Sequence, residues 1–191
     1  MTKKKIYLSK TDMYNNATRM LAKQVRFMDM PRGFYARYNM PSMVYKFRAA
    51  FRNSVVRRDA LCSLFESERC KSGRFAAGFC GIASYTWSHL FRMPNGAEIW
   101  RLKVYRGNYY VPGLTDHVWL ENKFDGSILD LTFDQSVDEF GKFVEIPYFL
   151  GEYADSDFEF ARAYKFAEHL GIDLKSIVFE NALRRALHGR L

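Results

Sequence analysis

Cysteine is scarce in this chain: Cys62, Cys70 and Cys80, with no C-x-x-C pair among them. An odd number so spaced argues against a disulfide framework and against a tetrahedral zinc site. No metal or cofactor is expected, and a reducing compartment, the cytoplasm, fits this usage best. Long apolar runs are missing too. No stretch approaches the about eighteen residues of a membrane span. Lys3-Lys4-Lys5 has no apolar h-region after it, so no secretory signal is expected. Internal repeats and low-complexity linkers are also lacking, and 191 residues can bury one sizeable core. The reading is a single domain over 1–191. It has a basic, mainly helical part (1–74), a central part carrying the chemistry (75–135) and a mainly helical tail (136–191).

Acidic residues are few in the first of these parts. Residues 1–74 hold seventeen Lys or Arg against five Asp or Glu, whereas residues 75–191 hold twelve against sixteen, within an overall net charge of +8. Clustered cations concentrate anions nearby, so an acidic macromolecule is a candidate partner. No nucleic-acid module is recognisable, so nucleic acid is the less favoured occupant. A plainly solvated helical face would account for the same pattern.

What is present in quantity is helical patterning at both ends. From Ser9 or Thr11, with Asp12 in the first turn, apolar residues at Met13, Ala17, Met20, Leu21 and Phe27 predict an amphipathic helix ending near Pro31-Arg32-Gly33. A second helix, capped by Ser42, carries Val44, Phe47, Phe51 and Val55. A further helical piece holds Leu61, Leu64 and Phe65. After a Gly- and Ser-containing loop over 71–78, Cys80 to Phe91 again has helical spacing. The tail reads as a helix opened by Asp155, Ser156 and Asp157 and stopped at Gly171, then another from about Asp173 to His188. His89, His169 and His188 lie on helices with no evident partner.

Past Met93-Pro94-Asn95-Gly96 the period changes to two. Ala97–Tyr105, His117–Phe124 and Ser127–Phe133 read as strands of an antiparallel meander. His117, Trp119 and Glu121 share one face of the second strand, and Asp130 and Thr132 share one face of the third. The fold class is α+β.

One thiol, one imidazole and one carboxylate therefore occur in the order Cys80, His117, Asp130, separated by 37 and 13 residues. Cys80, flanked by Gly78 and Gly81 at a helix start, sits where unpaired N–H groups and the helix dipole favour a thiolate. The bland alternative for Cys80 is a packed small residue, as Cys62 is read to be. The third member depends on strand register. A two-residue turn at Asp125-Gly126 would set His117 opposite Asp134, and a longer turn near Lys123-Phe124 would set it opposite Asp130.

Phe79-Cys80-Gly81-Ile82-Ala83-Ser84, His117-Val118-Trp119-Leu120-Glu121 and Asp125 through Thr132 together resemble the papain-like and transglutaminase-like cysteine hydrolase superfamily. The run from His117 through Gln135 is similar to the small bacterial YunG-like group. The resemblance implies a core with the nucleophile at a helix N-terminus packed on an antiparallel sheet, with extra N- and C-terminal helices. It implies Cys80 as nucleophile, His117 as general base and Asp130 as the residue orienting the imidazole, with Trp119, Thr132 and Gln135 in support; the register keeps Asp134 in reserve. The implied activity is acyl transfer on an amide through a thioester, as peptidase, amidase or deamidase, or transglutaminase-like enzyme, on a protein or peptide substrate. Arg74 stands where papain-type enzymes carry Gln, and Gly81 stands where Trp is usual. The other reading is a non-enzymatic protein of the same fold that binds an acidic macromolecule through its basic first third.

Overall fold

The computed structural model describes residues 9–34, 36–61, 63, 66, 74–107, 116–135, 145–154 and 161–188. Within them the chain is α+β: six helices and a four-stranded antiparallel sheet of order β3-β2-β1-β4. The helices are α1 (Lys10–Arg26), α2 (Met40–Arg52), α3 (Ser54–Ala60), α4 (Cys80–Leu90), α5 (Ala161–His169) and α6 (Leu174–His188). The strands are β1 (Trp100–Tyr105), β2 (His117–Asn122), β3 (Ile128–Leu129) and β4 (Glu152–Tyr153). Cys62, Cys70, Leu64, Phe65 and the residues 155–157 expected to open the tail helix lie outside the described residues. No helix among the described residues is long and apolar enough to cross a membrane.

Short polar side chains set the helix starts. Ser9 and Asp12 form a capping box on α1, with Asp12 N–H donating to Ser9 Oγ at 3.1 Å. Asn39, rather than Ser42, caps α2: its Oδ1 accepts the Ser42 N–H at 2.9 Å, and Pro41 falls in the first turn, where its missing N–H costs nothing. Asn53 closes α2 and caps α3. Asp173 takes the Ser176 N–H at the start of α6.

Helix α4 is the centre of the molecule. Every residue from Ile82 to Leu90 is buried, because β1 and β2 cover it on one side and α5 and α6 on the other. A helix buried all round needs no polar face, and Ser84, Thr86 and Ser88 accordingly turn their hydroxyls onto backbone carbonyls. An aromatic cluster fixes where this helix begins. Phe79, fully buried, stacks on Phe51 with ring centroids 4.5 Å apart and leans on Phe166 at 5.7 Å. Gly78, at φ +83°, makes the left-handed step into the helix that a side-chain-bearing residue resists. The position of Cys80 is therefore set by packing against α2 and α5.

The strands are shorter than their patterns predict. β1 begins at Trp100 instead of Ala97, and β3 ends at Leu129 because Asp130, Leu131 and Thr132 turn away into a short 3₁₀ turn over Phe133–Gln135.

Histidine 89 illustrates the polar cost of this core. It is 9% exposed, its Nδ1 has no partner among the described residues, and burial, with Arg92 and Arg185 nearby, pushes its pKa down to about 3. A folded-state pKa below the unfolded 6.5 means the unfolded chain takes up the proton first. Stability is thus complete above pH 6.5 and falls as pH drops towards 3, at a limiting rate of about 1.4 kcal/mol per pH unit. Urea unfolding at pH 7 and pH 5 should show this loss in the wild type and a smaller one in His89→Gln; equal losses would remove His89 as its source. His169, in the tail, has a partner the sequence did not disclose: Asp59 Oδ2 lies 3.0 Å from its Nε2.

Candidate active site

The site is assembled from the start of α4, the start of β2 and the turn after β3. β2 pairs with β1 from Tyr105↔His117 to Trp100↔Asn122, which seats His117 at the strand's first position, fully buried. β2 pairs with β3 through Leu120↔Leu129 and Glu121↔Ile128. Carried three residues further, this register would set Asp130 opposite Trp119 and Thr132 opposite His117. Neither of the two expected registers occurs. Asp130 meets His117 diagonally, on the face the alternation assigned to both.

The contact is close: His117 Nε2 lies 2.6 Å from Asp130 Oδ2. Asp130 is itself held by an Asx-type turn, its Oδ1 accepting from Thr132 N–H at 2.9 Å and Thr132 Oγ1–H at 3.1 Å. Tyr148 donates its hydroxyl to Asp130 Oδ2 at 3.1 Å. With four donors converging on one carboxylate that is 4% exposed, the group is fixed in place.

On its other side, His117 meets two groups. The Cys80 thiol interacts with the imidazole and with the Val118 backbone, and the Gln135 amide Nε2 approaches Nδ1. Since Asp130 takes Nε2, Nδ1 is the ring nitrogen left clear of the carboxylate. Burial raises the Cys80 pKa, but the hydrogen bond and charge of His117 and the Val118 N–H outweigh it and hold the thiol below its ordinary value. Burial lowers the His117 pKa, and Asp130, by charge and by hydrogen bond, more than reverses this and raises it well above the usual histidine range. The two directions both favour the ion pair of thiolate and imidazolium over the neutral pair. As a residue, Cys80 is half-buried.

Trp119 lies on the same face, its ring 6.0 Å from His117 and tilted by 26°, with Tyr148 packed edge-on at 5.2 Å. It sits under Gly151, where an added Cβ would come within 2.2 Å of the indole. Only glycine lets the segment carrying Tyr148 cross this close.

Asp134, the reserve third member, is not beside His117. It forms a two-pronged ion pair with Arg48 of α2, both N–O distances 2.5 Å. Arg48 is 1% exposed, and it also donates to Leu131 O at 3.1 Å and Thr18 Oγ1 at 3.1 Å, with the Tyr14 ring centroid 3.8 Å from its guanidinium carbon. Arg74 donates to the Gln135 carbonyl at 2.9 Å. Two arginines of the basic first third thus pin the turn that carries Asp130 and Gln135.

Cys80, His117, Asp130, Thr132, Gln135 and Trp119 are therefore brought together, and Asp134 is not. Tyr148 and Arg48 were missed. Tyr148 follows Pro147 in a stretch without period, and Arg48 is one of seventeen basic residues in its third of the chain, so neither carries a sequence signal. Among the described residues no group of three or more His, Cys, Asp or Glu side chains could hold a metal ion. Compared with protein-family models, curated protein sequences and solved structures, the chain has no match to any of them.

Proposed function

We propose that the protein is a cysteine-nucleophile acyl-transfer enzyme, papain-like or transglutaminase-like in type, acting on an amide bond through a thioester. The observation that carries this reading is the series Cys80, His117, Asp130, in which a cysteine at a helix start adjoins an imidazole hydrogen-bonded at 2.6 Å to a buried carboxylate.

The Cys80 thiolate attacks the amide carbonyl carbon, and the carbonyl oxygen takes the negative charge. The first turn of α4 has no side-chain cap, so its backbone N–H groups are available to that oxygen. As the C–N bond breaks, the imidazolium Nδ1–H passes its proton to the departing amine, leaving an acyl thioester on Cys80 and a neutral imidazole. Water, or a second amine, then gives a proton to Nδ1 as it adds to the thioester, and the thiolate leaves. Asp130 keeps Nε2 protonated throughout and stabilises the imidazolium. Choice of water or amine as acceptor separates peptidase or deamidase from crosslinking enzyme.

Alkylation by iodoacetamide tests this. A thiol of ordinary pKa is about three per cent ionised at pH 7, so a thiolate at Cys80 should react on the order of ten-fold faster than Cys62 or Cys70, its lower nucleophilicity allowed for. The rate should hold at neutral pH and fall only as pH drops through the lowered pKa; Cys80→Ser removes the fast phase. Labelling at Cys80 no faster than at the other two cysteines would end the enzyme reading. It would leave the second one, docking of an acidic macromolecule, which the basic surplus of residues 1–74 supports.

A further inference from the structure

A second hollow lies at the other end of α4 from Cys80. The helix carries the chain away from the candidate site over 11 residues, about 16 Å. Beyond it meet the turn over 94–96, Lys123 just past β2, and the last turn of α6. Asn95, Ala97, Glu98, Lys123, Arg185 and His188 line a cavity of about 320 Å³ there, at the lower end of the range of small-molecule sites. Its walls are tied to the core. Arg92, 8% exposed, donates to Ser88 O and to Gly96 O, each at 3.2 Å, and Asn181 of α6 donates to His89 O at 3.0 Å.

One carboxylate serves three cations at this place. Glu98 lies 3.3 Å from Arg92, 3.8 Å from Arg185 and 3.9 Å from Lys123, and it is the sole acidic side chain lining the cavity among the described residues. The acidic residues closest to it in sequence are engaged elsewhere: Asp125 accepts the Ser127 N–H at 2.8 Å, and Glu180 pairs with Arg184 at 3.6 Å. The C-terminus of α6 adds about half a negative charge, so roughly one and a half positive charges stay uncompensated with His188 counted as neutral. Their field reaches the core, where Arg92 and Arg185 add to the effect of burial in lowering the His89 pKa. None of these residues belongs to the basic first third.

The donors differ in kind. Arg185 offers a planar fork of N–H groups and Lys123 a point charge, and both residues are exposed. Asn95 has its Oδ1 taken by the Ala97 N–H at 3.0 Å, so what it offers a ligand is an N–H₂ group. A fork, a point charge and a neutral donor around a small hollow complement a compact tetrahedral oxyanion. We infer that this cavity binds a phosphate monoester, supplied either as a phosphorylated small molecule or as a phosphoserine side chain of a polypeptide. The site stands apart from Cys80 and does not rest on its being a nucleophile.

Calorimetric titration of the full-length protein with glycerol 3-phosphate at pH 7, beside glycerol and acetate, is the test. Glycerol 3-phosphate should bind at least ten-fold more tightly than either, and should weaken as salt rises. Lys123→Gln and Arg185→Gln should each cost several-fold, and the two together ten-fold or more. Arg19→Gln with Lys23→Gln removes the same charge from exposed positions of α1 and should leave the affinity unchanged. A blocked Ala-phosphoserine-Ala peptide, set against the same peptide with serine, distinguishes the sources: tighter binding of the phosphopeptide than of glycerol 3-phosphate points to a polypeptide, the reverse order to a small molecule. Acetate binding as tightly as glycerol 3-phosphate, or an equal loss in the α1 pair and in Lys123→Gln with Arg185→Gln, or no loss in the latter, overturns the inference. Because every variant keeps Cys80, His117 and Asp130, failure here and failure of the alkylation test are separate results.

Discussion

Asp130→Asn is expected to keep the fold while Cys80 alkylation at pH 7 falls by about ten-fold, to the rate of an ordinary thiol, and turnover of any amide substrate falls by about 10²–10⁴-fold. The reason lies in the donors that meet this carboxylate. Asp130 accepts from His117, Tyr148, the Thr132 N–H and the Thr132 hydroxyl. An asparagine has one acceptor oxygen and one donor amide in the same space. If its oxygen faces Thr132, the amide N–H₂ meets Nε2 and drives the imidazole proton to Nδ1; if its oxygen faces His117, the amide meets the Thr132 N–H. Either way the negative charge that raises the His117 pKa is gone. His117 is then neutral at pH 7, and the thiolate loses the counter-charge that lowers its pKa. The alkylation profile of the variant should accordingly move to higher pH. An unmoved profile would mean that Asp130 is not what keeps His117 charged. The parallel variant Asp134→Asn should affect stability first; a loss of reactivity there at undiminished stability would return Asp134 to the role of third member.

Arg48→Ala is the second large effect, and it concerns stability. Arg48 satisfies both oxygens of Asp134, whose side chain is 6% exposed, together with Leu131 O and Thr18 Oγ1. Truncation leaves a buried carboxylate without its counter-charge and a void against Tyr14. Breaking a buried pair from one side costs about 3–5 kcal/mol, equivalent to a fall in Tm of roughly 6–20 °C for a chain of this size. Urea unfolding at pH 7 measures it. Arg48→Met combined with Asp134→Leu should cost less than Arg48→Ala alone, since no unpaired charge is left behind. A cost under about 1 kcal/mol for the single variant would place the pair with exposed ion pairs and remove its role in holding the turn.

Local chemistry was the legible part of this sequence. Ser9 and Asp12 announce the first helix because a capping box lies within four residues, and alternation assigned His117 and Asp130 to matching faces because side-chain period in a strand is fixed at two. Cys80 was legible as a helix start because the glycines around it mark a change of conformation. Register was not legible, since it depends on how the chain rounds Lys123 to Gly126. Asn122 takes both the Gly126 N–H and, with its own N–H, the Ser127 carbonyl, a four-residue closure that neither expected turn provides. Nor were the long-range partners. Arg48 and Tyr148 reach the site from outside the central part, and what selects them, a carboxylate turned away from His117 in one case and a glycine passing over Trp119 in the other, exists only once the chain is folded.

The tie between Arg48 and Asp134 spans 86 positions. A ribosome adding about 5–20 residues per second needs roughly 4–17 s to make that length. During this interval α1 and α2 can pair, and the guanidinium that belongs in their shared interior must stay hydrated, because the carboxylate it awaits has not been made. The amino-terminal pair of helices therefore completes its core late, and the turn bearing Asp130 and Gln135 is the piece that closes it. The tie between the first helices and the turn bearing Asp130 therefore waits on the synthesis of residue 134.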